Sequence, residues 1–255
     1  MPALTRRNFL RVSSASLVGA ISCNPFDIIG ADDDSARLTA RPRAPKQTLA
    51  PGTYKLDFGD TRDGYLLVPQ SSTPSKPVPL LLALHGAGIG ATGPINFLGP
   101  YAEEFGFVLL APDSRGVTWD AIHDGFGPDV RFINRALLHA FDSCAIDPNR
   151  IYIEGFSDGA SYALGLGPAN PELFKRVIAF SAGLIPLLGH PVNGMPEIFV
   201  SHGVDDPVLP YSNAIYYIVP TLQKAGFSVT FVPFEGEHTV PSFVARPAIQ
   251  WMLNP

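Results

Sequence analysis

Short apolar runs alternate with helix-length segments along most of this 255-residue chain. The first two runs flank a turn rich in Asp and Gly, which predicts a β-hairpin, and each of the other six suits a strand buried on both faces. The predicted strands are residues 54–58, 64–68, 78–84, 107–111, 150–155, 176–180, 197–201 and 228–234. Helix-length segments separate the later runs, at residues 95–105, 129–145, 158–169, 211–225 and 241–253.

A starting hairpin followed by repeated strand–helix units predicts an α/β fold: a mostly parallel sheet of about eight strands with helices on both faces. Hydrophobic residues make up 46% of the chain and charged residues 16%, which favours one compact domain over disorder. The net charge is −5 and no basic cluster interleaves with aromatics, so we expect no nucleic-acid partner. No apolar run approaches the ~20 residues of a membrane span.

The first 22 residues are interpreted as an export signal. Arg6 and Arg7, followed by Phe9, Leu10 and a mild apolar run over residues 12–21, are typical of the twin-arginine signal. An amphipathic N-terminal helix is the alternative. The export signal predicts a location outside the cytoplasmic membrane, in the periplasm or the extracellular space.

The chain contains two cysteines, Cys23 and Cys144. Signal cleavage near Cys23 is the leading interpretation, and lipidation of Cys23 is the alternative, because a cysteine in that place resembles a lipoprotein acceptor. Residues 23–51, with a run of aspartates and an Arg-Pro-rich stretch, predict a disordered spacer before a globular domain over residues 52–255. Cys144 lies on an apolar helical pattern, which predicts a buried thiol.

The sequence Gly155-Phe156-Ser157-Asp158-Gly159 follows an apolar run and opens a helical pattern. Gly-x-Ser-x-Gly between a strand and a helix is the nucleophile elbow, in which a sharp turn holds the serine in a strained backbone conformation. The glycines leave room for the chain to pass. This pentapeptide is common by chance, so the interpretation depends on finding partners for Ser157.

A nucleophilic serine needs a base, and that base needs an acid to orient it. In this architecture the acid follows the serine and the base comes last. His238 is the one histidine that follows an eligible aspartate, because His190 and His202 precede both Asp205 and Asp206.

The acid is Asp205 or Asp206, both placed just after a predicted strand, and Asp206 is preferred because Pro207 then starts a new turn. The other aspartate is interpreted as a capping or turn residue. The six histidines show no metal-ligand spacing, and no cofactor or metal is predicted.

A glycine loop, His85-Gly86-Ala87-Gly88, follows the third strand. The backbone N–H groups of Ala87 and Asp158 are predicted to form an oxyanion hole, the second of them helped by the N-terminus of a helix. His85 is interpreted as structural and not as a base.

These motifs, in this order, resemble the α/β-hydrolase superfamily, and more closely its small bacterial esterases of the phospholipase/carboxylesterase and polyhydroxybutyrate-depolymerase-like groups. The resemblance covers nearly all of residues 80–253 and includes Ile146-Asp147-Pro148-Asn149-Arg150, His202-Gly203-x-x-Asp206 and Gly236-x-His238. It implies a serine esterase without a large cap domain, and its spacing from His202 supports Asp206. Many relatives have Gln or Ala where Asp158 stands, so a carboxylate beside the oxyanion site is a departure.

Substrate contacts are less constrained by the sequence. Trp119 is predicted either to line the cleft or to pin its loop, and Leu184 and Ile185 either to form an apolar wall or to pack in the core. Short to medium acyl esters are the leading substrates. A secreted polyester depolymerase or feruloyl-esterase-like enzyme is the runner-up, and a catalytically silent binding protein is the alternative from another class. The oligomeric state is not predicted.

Overall fold

The computed structural model describes residues 34–187 and 195–254. The predicted export signal over residues 1–22, Cys23 and Leu188 lie outside the described residues. Within them, no helix combines the length and the apolar character needed to cross a bilayer.

One eight-stranded sheet forms the centre of the molecule, with strand order β1-β2-β4-β3-β5-β6-β7-β8. The hairpin β1–β2 and the pair β2–β4 are antiparallel, and all other neighbours are parallel. This architecture confirms the predicted fold, and each predicted run overlaps a strand, although the first strand lies at residues 52–55 and not at 54–58. The strands are β1 Gly52–Lys55, β2 Gly64–Val68, β3 Val78–Leu84, β4 Val108–Pro112, β5 Ile146–Phe156, β6 Arg176–Phe180, β7 Glu197–Gly203 and β8 Val229–Phe234.

Helices cover both faces of the sheet, as predicted. The α-helices are α1 Thr92–Phe105, α2 Pro128–Ser143, α3 Asp158–Ala169, α4 Tyr211–Asn213, α5 Val219–Lys224 and α6 Ser242–Leu253, and a π-helical turn, Ala214–Ile218, joins α4 to α5. Buried residues of α2, α3 and α5 share one hydrophobic core, and those of α1 and α6 share the core on the opposite face. Cys144 is a free thiol buried in the first of these cores, where burial raises its pKa to about 12.

The predicted disordered spacer is wrong for its later part, because residues 36–49 pack on the domain. Leu38 is buried, and its backbone N–H donates to Asn170 Oδ1 (2.8 Å). The amide of Asn170 in turn donates to Ala36 O (2.9 Å), and Asn134 Oδ1 accepts from Ala40 N (2.7 Å). We call residues 36–49 the strap. The domain therefore begins well before residue 52.

Candidate active site

Ser157 lies at the turn between β5 and α3. Its backbone is left-handed, with φ 58° and ψ −120°, a conformation that non-glycine residues rarely adopt. A Cβ on Gly155 would lie 2.1 Å from Gly159 O, and a Cβ on Gly159 would lie 2.1 Å from Leu84 O. Both positions therefore require glycine, and the strained turn presents Ser157 at the carboxyl edge of the sheet.

Three side chains from separate loops meet at this edge. Ser157 Oγ lies 2.9 Å from His238 Nε2, and His238 Nδ1 lies 2.6 Å from Asp206 Oδ2. Because a carboxylate only accepts, Nδ1–H donates to Asp206 and leaves Nε2 to accept the Ser157 proton. The Phe156 ring packs against the imidazole, with ring centroids 4.8 Å apart.

The structure distinguishes the two aspartates. Asp206 is buried, and its Oδ1 accepts from the backbone N–H groups of Val208 (2.9 Å) and Leu209 (2.8 Å). Burial alone would raise the pKa of Asp206, but the hydrogen bonds from His238 and these two amides outweigh it and lower the pKa. Asp205 is exposed, and its backbone N–H bonds to Gly236 O (3.0 Å). The geometry thus joins Asp206, and not Asp205, to His238.

A close backbone approach brings the His238 loop to Asp206. A Cβ on Gly203 would lie 2.4 Å from the carbonyl oxygens of Gly236 and Glu237. Glycine at position 203 therefore permits the loop after β8 to lie against the end of β7. This contact explains why Gly203 follows His202 in the motif.

The glycine loop after β3 passes directly over the nucleophile. A Cβ on Gly86 would lie 3.2 Å from Ser157 Cβ. In the described chain, neither Ala87 N–H nor Asp158 N–H donates to a backbone carbonyl outside its own element, and Asp158 is the first residue of α3, where an N–H has no helical acceptor. Both N–H groups therefore lack a backbone acceptor among the described residues.

His85 supports this loop. Its Nε2 accepts from Ser114 N–H (3.0 Å), so Nδ1 carries the proton and donates to Gly86 O (2.8 Å). Burial lowers the pKa of the imidazole, which keeps it neutral. These contacts agree with a structural role for His85.

Trp119 does not line the cleft. The side chain is fully buried between the rings of His85 and Tyr162, at centroid distances of 4.8 and 5.2 Å, and Nε1–H donates to His85 O (2.8 Å). The cleft prediction is wrong because the indole N–H finds its partner in the interior. Neighbouring Thr118 instead reaches the site, since its Oγ1 donates to Asp158 Oδ2 (2.6 Å).

Ile185 also packs in the core and not on a substrate wall. Leu184 is half-buried in the same loop, which Ser161 Oγ ties to α3 by accepting from Gly183 N–H (2.9 Å) and Leu184 N–H (3.3 Å). Of the two residues predicted to form an apolar wall for the substrate, only Leu184 therefore remains a candidate.

Two buried polar residues, of which only His202 was named from the sequence, lie at the ends of the strands that carry the triad. His202 is buried behind Asp206, with Nε2 bonded to Leu209 O (2.7 Å). Glu154 is buried on β5, three residues before Ser157. A carboxyl group within the apolar run over residues 151–156 was a signal that could have identified Glu154. No cluster of three or more metal-ligating side chains occurs in residues 34–187 and 195–254.

Known proteins with related sequences are ester hydrolases. The profile of a family described as phospholipase/carboxylesterase matches residues 124–245. A probable feruloyl esterase C of Aspergillus oryzae is 28% identical over 204 residues, which cover 75% of this chain and 72% of that protein. A poly(3-hydroxybutyrate) depolymerase of Ralstonia pickettii is 32% identical over 152 residues, covering 50% of this chain and 30% of that protein. Several other curated relatives are matched over less than two thirds of their length.

Solved structures share the architecture at low sequence identity. FphF, a fluorophosphonate-binding serine hydrolase of Staphylococcus aureus, superposes with a TM-score of 0.65 at 14% identity, covering 81% of this chain and 100% of that one. The sheet order, the elbow and these matches define an α/β-hydrolase fold. The family match over residues 124–245 includes Ser157, Asp206 and His238, and the sequence relatives named above are an esterase and a depolymerase.

Proposed function

We propose that the protein is a serine carboxylic-ester hydrolase that works through an acyl-enzyme intermediate. The observation that carries the proposal is the pair of hydrogen bonds joining Ser157 Oγ to His238 (2.9 Å) and His238 to Asp206 (2.6 Å). His238 Nε2 removes the proton from Ser157 as the oxygen attacks the ester carbonyl, and then donates it to the leaving alcohol. Water, activated by the same nitrogen, releases the acid and restores Ser157.

The N–H groups of Ala87 and Asp158 hold the developing oxyanion in this mechanism. Such donors stabilise the transition state more than the ground state, and losing one typically costs about 10²–10³ in turnover. Asp206 holds the imidazole in the tautomer that leaves Nε2 unprotonated and stabilises the imidazolium once it forms.

The Asp158 carboxylate adds negative charge near the site, although Thr118 Oγ1–H bonds to it. This charge disfavours anionic substrates, so we propose neutral esters with short to medium acyl groups. Feruloyl-esterase-like or polyester substrates form the second candidate, favoured by the names that its relatives carry.

We also propose that the protein is exported by the twin-arginine route to the periplasm or the extracellular space, with cleavage near Cys23 and a lipid anchor there as the alternative. The support is the sequence Arg6-Arg7-Asn8-Phe9-Leu10 and the apolar run that follows it.

A panel of p-nitrophenyl esters of increasing acyl length tests the catalytic proposal with the wild type, Ser157→Ala and His238→Ala. We expect both variants to lose at least about 10³-fold in kcat. A fluorophosphonate probe is expected to label the wild type and not Ser157→Ala. Turnover of Ser157→Ala at the wild-type level would contradict the assignment, and absence of labelling in the wild type would favour a silent binding protein.

Clearing of a polyester film, compared with turnover of soluble short-chain esters, separates the depolymerase alternative from the leading one. Turnover of methyl ferulate tests the feruloyl-esterase-like alternative against the same short-chain esters. The substrate with the highest kcat/KM identifies the class.

A further inference from the structure

A cavity of about 250 Å³ lies between α1, the glycine loop after β3 and the loop that carries His238. Its walls are mainly apolar and include Ile89, Pro94, Phe97, Leu98 and Val240. Gly86 and His238 also line it, so the cavity adjoins the triad. It is large for water alone, since a cavity of about 150 Å³ holds benzene.

Glu154 is the one carboxyl residue among those that line this cavity. Ile151 and Ile153 of β5 belong to the core against α2 and α3, whereas Tyr152 packs with the core on the opposite face. Side chains alternate along a strand, so the Glu154 side chain lies on the face of Tyr152, towards α1 and the cavity.

Glu154 is 3% exposed, and no hydrogen-bonding or ionic partner for its carboxyl group is found among the described residues. Burial raises its pKa to about 8, so the group is mostly protonated at neutral pH. A neutral carboxylic acid offers one O–H donor and a carbonyl acceptor. Buried polar groups normally have hydrogen-bond partners, and leaving such a group unpaired is unfavourable.

A ligand that fills the cavity and satisfies Glu154 must combine an apolar body with one polar group that both donates and accepts. A hydroxyl group has this character. We propose that the cavity binds an apolar substituent of the ester substrate bearing a hydroxyl group at its far end, and that Glu154 determines specificity by hydrogen bonding to that hydroxyl. This inference rests on the proposed ester hydrolysis and extends it to a substrate class.

Two matched pairs of esters test the inference and distinguish the half of the ester that enters the cavity. The acyl pair is methyl 3-(4-hydroxyphenyl)propanoate and methyl 3-phenylpropanoate. The alcohol pair is 2-(4-hydroxyphenyl)ethyl acetate and 2-phenylethyl acetate. Methyl acetate, which has no substituent to enter the cavity, reports the triad alone.

The variants are Glu154→Met, which is apolar and of similar length, and Glu154→Gln, which keeps one donor and one acceptor. In the wild type we expect kcat/KM to favour the hydroxylated ester of at least one pair by about 10- to 100-fold. Glu154→Gln should keep most of this preference, and Glu154→Met should lose it. Because the preference is the ratio of kcat/KM within a pair, a general change in activity cancels from it.

Equal preference in the wild type and Glu154→Met, or no preference in the wild type, overturns the inference while leaving the triad proposal intact. Failure of the wild type to hydrolyse methyl acetate or either pair contradicts the triad proposal instead. Calorimetry with Ser157→Ala then tests binding to the cavity without catalysis. The ligands are the two alcohols, 2-(4-hydroxyphenyl)ethanol and 2-phenylethanol, and the two amides, 3-(4-hydroxyphenyl)propanamide and 3-phenylpropanamide. The same loss of hydroxyl preference is expected in Ser157→Ala/Glu154→Met, and its absence overturns the inference.

Discussion

Asp206 bonds to His238 and Glu154 lines a cavity that His238 also lines, yet the surroundings of these two buried residues shift their carboxyl pKa values in opposite directions. Asp206 accepts hydrogen bonds from His238, Val208 and Leu209, which outweigh burial and lower its pKa. Glu154 has burial without compensating partners, and its pKa rises to about 8. The first therefore stays charged to orient the imidazole, while the second is mostly neutral.

The raised pKa of Glu154 predicts a pH-dependent stability. An unfolded glutamate titrates near about 4.3. Between about pH 4.3 and 8 the folded protein thus binds more protons at this group than the unfolded chain, so its contribution to stability falls as the pH rises and levels off above about 8. Glu154→Gln removes this pH-dependent contribution to stability, because glutamine does not titrate.

The measurement is the Tm of the wild type and of Glu154→Gln from pH 5 to 9. We expect the Tm of Glu154→Gln to rise relative to that of the wild type up to about pH 8, with no further relative gain above it. All other titrating groups are common to both proteins and cancel in the comparison. A constant Tm difference across this range would show that Glu154 does not titrate as inferred.

The contribution of Asp206 to folding stability depends on pH in the opposite direction. Its lowered pKa stabilises the folded protein above the unfolded value of about 3.9, and this stabilisation is lost as the pH falls through the folded pKa.

At the scale of elements, the site depends on how closely the end of β7 meets the loop between β8 and α6. Val204 N–H donates to Phe234 O (2.9 Å) and Asp205 N–H to Gly236 O (3.0 Å), so backbone bonds fasten the two loops together. Asp206 comes from one loop and His238 from the other. Their hydrogen bond therefore depends on backbone packing at Gly203.

Gly203→Ala is expected to lower kcat without unfolding the protein. The new Cβ would lie 2.4 Å from two backbone carbonyl oxygens, which forces the His238 loop away from Asp206 and Ser157. A displacement of about 1 Å costs roughly 10²-fold in rate. The measurement is kcat on p-nitrophenyl acetate, with circular dichroism to verify folding.

Gly116→Ala is the matched control, because a Cβ there has its nearest contact at 3.4 Å and its φ lies outside the left-handed region. We expect it to retain most of the wild-type kcat. Equal kcat for the wild type and Gly203→Ala would mean that the two loops move without disturbing the triad.

At the scale of the whole molecule, the strap joins the beginning of the described chain to α2 and α3. Asn170 is fully buried and uses its side chain for three hydrogen bonds: it accepts from Leu38 N–H (2.8 Å) and donates to Ala36 O (2.9 Å) and Leu166 O (2.8 Å). Two of these bonds span more than 130 residues of sequence.

Asn170→Ala should destabilise the protein by about 2–4 kcal/mol, since it leaves buried backbone groups without partners. The midpoint of urea unfolding measures the change, and Asn149→Ala, at an exposed position, is the control. We expect kcat of the folded variant to stay near that of the wild type, because the strap contacts α2 and α3 and not the triad. A change below about 0.5 kcal/mol would contradict the anchoring role of Asn170.

Local patterns in the sequence were sufficient for most of the fold. The helix predicted at residues 158–169 has those bounds in the structure, because an elbow opens it and Pro168 and Asn170 accompany its end. The apolar runs locate the strands for a similarly local reason: a strand buried on both faces needs apolar residues at successive positions.

Trp119 and the strap show where such patterns fail. A tryptophan in a glycine-rich loop is expected beside a cleft, but the carbonyl of His85 accepts its N–H and two rings cover it. The strap has the composition of a spacer, and its order depends on Asn134 and Asn170, which lie far along the chain.

The order of strands and helices, the elbow at Ser157 and the choice of His238 by its place in the triad order could all be predicted from the sequence alone. The tertiary structure decided between Asp205 and Asp206, buried Trp119 and Ile185, ordered the strap and placed Glu154 beside a cavity. Periodicity and glycine requirements act over a few residues and are visible in the sequence. The partner that a buried polar group finds depends on the packing of distant segments, and this is visible only in the folded molecule.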